Sequence, residues 1–229
     1  MTVTPPRSRR ERPSKPALSR DGILDAALGV PEREGIEKLT MRRLATELDT
    51  GPASLYVYVS STTELHAMLI DRLLARLDLR WSGRGDWHRR LRTLLVSYSD
   101  LLMQHPGLAR SALVTWPQGP HYLDLLELVL RLLVAGGVPL PRAAWAVDTL
   151  LQSATAMAAE YGTRGERPAE QSLDELTAAL AGAGAGRHPL LAGLGAEGLT
   201  SGDPLERRRW ALDALIHGVV ATPRPHERR

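Results

Sequence analysis

Apolar residues recur along this chain at intervals of three and four, the pattern of amphipathic helices rather than strands. Ser19 offers an N-cap for a first helix through Ile23, Leu24, Ala27 and Leu28, which Pro31 is expected to end or kink. Gly35 and Ile36 make a turn, and Thr40 caps a second helix, Met41 to Leu48, whose apolar face is Met41, Leu44, Ala45 and Leu48. After a break at Asp49-Thr50-Gly51, Pro52 suits the first position of a third helix through Ser54, Leu55, Tyr56 and Tyr58. Ser61-Thr62-Thr63-Glu64 reads as a capping box opening a much longer fourth helix with Leu65, Met68, Leu69, Leu73 and Leu77. That fourth helix is predicted over about 63–80, and further helices over 86–104, 107–115, 119–136, 140–161, 169–181 and 203–220. Residues 181–202 contain seven glycines and read as a connection.

Composition agrees with an all-α fold. Leucine supplies 40 residues of 229, against 16 isoleucines and valines together, the residues strands favour. With no cysteine there is no disulfide framework and no thiolate metal site. The seven histidines include no HxH, HxxxH or HExxH spacing, so neither metal nor cofactor is expected. Gly193 to Gly198 fits GxGxxG literally but follows no strand, which argues against a dinucleotide site. No uncharged run approaches the ~20 residues needed to cross a bilayer, and no apolar stretch follows the basic start, which points to the cytoplasm and away from the membrane.

Two short helices joined by a tight turn, ahead of a long helix, are the layout of a helix-turn-helix unit, although periodicity alone leaves any three-helix bundle open. The stretch from Leu39 to Leu65, LTMRRLATELDTGPASLYVYVSSTTEL, resembles the DNA-binding domain of the TetR/AcrR family of transcriptional regulators. The close match covers about residues 18–70, and His105-Pro106-Gly107 is a further local likeness. The proline-punctuated basic composition ahead of this stretch predicts a disordered arm at 1–17. The resemblance implies a helix-turn-helix domain at 18–65 and an effector-binding and dimerisation domain at 66–229. It also implies a homodimer that binds double-stranded DNA as a repressor released by a small-molecule effector. Its last two long helices, around Ala143–Tyr161 and Leu205–Val220, would pair with those of a second subunit.

Carried over by position, the resemblance sets Thr40, Met41 and Arg42 at the opening of the second helix beside DNA, and Pro52, Ala53 and Ser54 at the start of the recognition helix. Tyr56 and Tyr58 would meet phosphates, with Val57 between them and Thr62 opening the fourth helix. Arg42 is the candidate for bidentate guanine readout. Leu44, Leu48, Leu55 and Val59 would form the domain core. Two departures stand out. Asp49 stands where the family usually has glycine, which predicts a looser turn, and Thr62 stands where lysine is common, which weakens a phosphate contact.

Charge changes the picture further. The net of +3 divides into +5 over residues 1–20, −4 over 21–65 and +2 beyond. The arm, with Arg9, Arg10 and Arg12, is therefore expected to carry the electrostatic share of DNA binding, with a merely solvated tail as the alternative. For the effector, Tyr98, Met103, His105, Trp116, Trp145, Asp148, Gln152, Met157 and Tyr161 are candidates, each of which alone equally suits a core or dimer interface. Asp148 and Gln152 are the sharper pair, polar and one turn apart on an otherwise apolar helix. Two rival readings are a protein–protein adaptor that has lost DNA binding, suggested by the acidic 21–65 segment, and a helical enzyme, for which no nucleophile elbow or catalytic carboxylate pair speaks.

Overall fold

A computed structural model describes residues 18–163, 167–199 and 201–227, and the arm with Arg9, Arg10 and Arg12 lies outside these. The described residues form eleven α-helices, two 3-10 turns and no strand. The first four helices are α1 (Arg20–Glu34), α2 (Met41–Glu47), α3 (Pro52–Tyr56) and α4 (Thr62–Leu74). The larger remainder comprises α5 (Trp87–Met103), α6 (Pro106–Ala112), α7 (Pro120–Ala135), α8 (Leu140–Gly162), α9 (Arg167–Ala181), α10 (Pro189–Leu194) and α11 (Pro204–Ala221).

The caps form largely where sequence chemistry places them. The Ser19 hydroxyl accepts from the Gly22 amide at 3.1 Å and the Thr40 hydroxyl from the Arg43 amide at 3.1 Å. The capping box at α4 is reciprocal only in part. Ser61 accepts from the Glu64 amide, but the Glu64 carboxylate reaches one residue further back, to the amide and hydroxyl of Ser60 at 2.7 and 2.5 Å. These bonds hold the Glu64 carboxyl below its usual pKa range.

Three expectations are corrected. Pro31 does not end α1: the helix continues to Glu34, since so near the helix end proline forfeits a single amide donor of the last turn. The turn after α2 is not loose. Asp49 takes a left-handed conformation (φ 47°), its amide reaching the Thr46 carbonyl at 3.1 Å and the Thr50 amide the Ala45 carbonyl at 2.9 Å, the complete Schellman pair that glycine usually supports. The fourth helix is shorter than its apolar pattern suggested, ending at Leu74. The chain then tightens through Arg76 and Leu77 amides bonded three residues back, which turns Leu77 and Leu79 onto the core. The glycine-rich connection also contains one helix the sequence reading missed, α10.

A single apolar core runs from Ile23 and Leu44 through Leu65, Leu69 and Leu73 to Leu94, Leu132 and Leu150. α4 is shared: its buried face meets α1 on one side and α6 and α7 on the other. Arg72 of α4 clamps Asp21 and Asp25 of α1 at 3.1 and 2.5 Å.

Candidate DNA-reading face and effector cavity

Ala45, 2% exposed, is the small residue that lets α3 cross close to α2, and Leu44, Leu55 and Val59 are buried beneath the crossing. Leu48 is half-buried against the same core. This packing leaves one continuous outer surface. On it lie Thr40, Arg42, Pro52, Ala53 and Ser54, all exposed, followed by Tyr56 and Val57, which are 54% and 80% exposed. Val57 stands between two exposed tyrosines, Tyr56 and Tyr58, so the exposed apolar surface here is a run of three residues rather than one scattered side chain. The Arg42 guanidinium has no carboxylate partner among the described residues, whereas Arg43 is tied to Glu47 at 2.9 Å.

Met41 does not belong to this surface: it is 6% exposed, its side chain turned into the core as part of the helix's apolar stripe. Tyr58 is exposed, but its hydroxyl donates to the Leu18 carbonyl at 2.8 Å. That bond fixes residue 18, where the basic arm joins, beside the end of α3, a placement no local pattern could announce. Thr62 is half-buried at the first turn of α4. The acidic balance of 21–65 is also softened, since Asp21 and Asp25 face Arg72, which lies outside that segment.

The second feature is a cavity of about 300 Å³ between α5, α7, α8 and the chain from Ala112 to Pro117. Tyr98 of α5 lies in its wall, 4% exposed, with its hydroxyl 2.7 Å from that of Thr155 on α8. Burial pushes the Tyr98 phenol up to about 12. Tyr122, Leu126 and Leu130 supply the α7 wall, and Val147, Asp148, Leu151, Gln152 and Thr155 the α8 wall. Trp116, 66% exposed, stands among the lining residues of the connecting segment.

Of the nine residues proposed from sequence, Tyr98, Trp116, Asp148 and Gln152 line the cavity and the other five do not. Met103 sits at the end of α5 with its sulfur against Arg208 of α11. His105 is the N-cap residue of α6. Trp145 is 57% exposed and lies outside the lining, with the Arg224 guanidinium 5.5 Å from the centre of its ring. Met157 and Tyr161 are half-buried further along α8, Met157 against the core. Thr155 and Tyr122 were missed. Thr155 lies three residues after Gln152 and seven after Asp148, on their face, so helical spacing could have found it. Tyr122 could not be found from α7 alone, which is apolar almost all round.

The cavity and the reading face are joined through α4 and α7. α7 has only Gly119 at its N-cap, with no side chain to serve the first amides. Asp71 of α4, 8% exposed, serves instead: its carboxylate accepts from the Tyr122 amide at 2.8 Å and lies 3.0 Å from Nδ1 of His121. A Cβ at position 119 would stand 2.1 Å from the Asp71 carboxyl carbon, so only glycine admits this contact. A similar close approach seats Gly107 of α6 on Ile36, where a Cβ would come within 2.1 Å.

With this geometry in view, two family profiles match the chain: bacterial regulatory proteins of the tetR family over residues 23–67, and the tetracyclin repressor-like C-terminal domain over residues 81–222. The chain belongs to the TetR family of transcriptional regulators. Among relatives, the HTH-type transcriptional repressor DrrR1 of Streptomyces coeruleorubidus is 35% identical over 137 residues, 58% of this chain and 50% of that protein. The class D tetracycline repressor protein of Escherichia coli is 30% identical over 135 residues, 58% of this chain and 62% of that one. This TetR-family chain thus spans between half and two thirds of the length of those curated relatives. Among solved structures, a transcription regulator from Streptomyces coelicor has a TM-score of 0.75 and 48% identity, covering 92% of this chain and 98% of that one. ActR of Streptomyces coelicolor in complex with actinorhodin has a TM-score of 0.82 and 33% identity, covering 90% and 98%. Among the described residues no helix is long and apolar enough to cross a membrane, and no group of three His, Asp or Glu could hold a metal.

Proposed function

We propose that the protein is a homodimeric repressor that reads a near-palindromic operator and is released by a small molecule bound in the α5–α7–α8 cavity. The observation that carries this reading is the pair of surfaces joined through Asp71: an exposed, partner-free face around Arg42, Tyr56 and Val57, and an apolar cavity whose α7 wall begins at the amide Asp71 holds. Residues 18–65 act as the reading unit and 66–229 as the effector and dimerisation unit. Two reading units, one helical turn of DNA apart, match two half-sites. An effector that favours a non-binding spacing by a typical coupling of ~1–3 kcal/mol lowers DNA affinity by about 5–150-fold. Actinorhodin in ActR supports a ligand-responsive reading of the cavity.

Fluorescence anisotropy with the DNA flanking the protein's own gene tests this. Binding with a steep salt dependence is expected, weakened by Arg42→Ala by about 1–3 kcal/mol with relaxed preference at one base pair. Deleting residues 1–17 flattens the salt slope. No binding even at low salt rejects the repressor and favours the adaptor reading.

A further inference from the structure

The cavity is chemically one-sided. Its walls are apolar, through Leu126, Leu130, Val147 and Leu151, with the aromatic rings of Tyr98, Trp116 and Tyr122 set among them. Asp148 is the one charged residue in the lining, and no lysine, arginine or histidine accompanies it. Neither its carboxylate nor the Gln152 amide one turn along has a hydrogen-bonding or ion-pair partner among the described residues. The Tyr98 and Thr155 hydroxyls, by contrast, satisfy each other. The Tyr122 hydroxyl is raised above the ordinary phenol range, first by burial and then by the negative charge of Asp148, which sets that charge next to the aromatic wall. Asp148 and Gln152 are exposed at the edge of the cavity, and an anionic ligand would set a second negative charge beside Asp148 with no cation in the lining to receive it, which like-charge repulsion disfavours. A cation finds the reverse: a carboxylate with no ion-pair partner, and aromatic rings whose faces attract positive charge and stack on flat apolar bodies.

From these observations, and resting on the reading of this cavity as the effector site, we infer that the effector is a flat, largely apolar cation whose ammonium pairs with Asp148 beside Gln152, and that carboxylated ligands of the same shape are excluded. The volume of about 300 Å³ is at the lower end of the ~300–1,000 Å³ of drug-sized sites, which favours a compact ring system over an extended one.

A matched series isolates the charge: 1-naphthylmethylamine, 1-naphthalenemethanol and 1-naphthoate, titrated into the full-length protein and followed by fluorescence. The ammonium is expected to bind about fivefold more tightly than the alcohol, on the scale of one ion pair at an exposed edge, and the carboxylate more weakly than both. Asp148→Asn should bring the ammonium to the level of the alcohol while leaving the alcohol within about twofold. Equal affinities for all three, a preference for the carboxylate, or an ammonium preference that survives Asp148→Asn would each overturn the inference. Ala144→Trp, at an exposed lining position, should block the alcohol by filling the cavity. If the alcohol binds and Ala144→Trp abolishes it, the cavity reading stands whatever the charge preference. If none of the three binds, or if Ala144→Trp leaves their binding unchanged, the cavity reading falls and this inference falls with it.

Discussion

Asp71 caps a helix to which it does not belong. Its removal leaves the Tyr122 amide without a partner near the start of α7, and a buried donor left unserved costs about 1–3 kcal/mol. Gly119→Ala acts on the same contact from the other side, driving a methyl group into the carboxylate. Both Gly119→Ala and Asp71→Ala are expected to lower the denaturant midpoint. The pair should be markedly non-additive, since once the carboxylate is gone the methyl group has little left to strike; strict additivity in a double-mutant cycle would refute the contact. Another residue-scale joint titrates. His66 of α4 lies 2.9 Å from the Ser111 hydroxyl of α6, and burial lowers its pKa. The unfolded chain therefore takes up a proton near the ordinary value of about 6.5, where the fold does not, and stability falls as pH drops below that value until the lower folded pKa is reached. Denaturant midpoints at pH 7.5 and 5.5 should differ less in His66→Gln than in the parent, and an unchanged difference would remove His66 from the account.

Between single residues and whole helices, legibility depended on the range of the forces involved. Caps at Ser19, Thr40 and Ser61 were readable, because each is settled within four residues. The apolar stripe of α2 was readable and already held Met41, and the burial of Met41 sides with that spacing against the DNA-side position the resemblance implied. The end of α4 was illegible, since Leu77 continues the heptad-like pattern and only tertiary contacts turn it back onto the core. For the same reason only part of the cavity was found: Asp148 and Gln152 declare themselves as polar residues on an apolar helix, whereas Tyr122 depends on how α7 meets α8. Asp49 provides an element-scale test. Glycine adopts a φ of 47° without the penalty of a Cβ, so Asp49→Gly should leave the melting temperature unchanged or raise it, by up to about 1 kcal/mol in stability. A clear loss would mean that the Asp49 side chain contributes more than the turn does.

At the scale of the molecule, α8 and α11 pack on α5 with their outer residues still uncovered: Leu140 and Trp145 are 61% and 57% exposed, and Trp210 is 74% exposed. Three large exposed apolar side chains on two neighbouring helices are what a second copy of the chain would cover. Trp210→Glu is expected to shift sedimentation toward the monomer and to weaken DNA binding in parallel, because one reading unit makes only half the phosphate contacts. A dimer of undiminished stability would move the interface elsewhere. The brevity of α4 bears on how such a dimer is controlled. Nine residues separate Thr62 at its start from Asp71, about 14 Å of helix at ~1.5 Å per residue. With Asp71 as fulcrum, α4 is a stiff lever whose long arm ends beside the reading face. A tilt of about 5° imposed at α7 displaces that end by roughly 1 Å, a shift on the scale known to switch packed helices between discrete states.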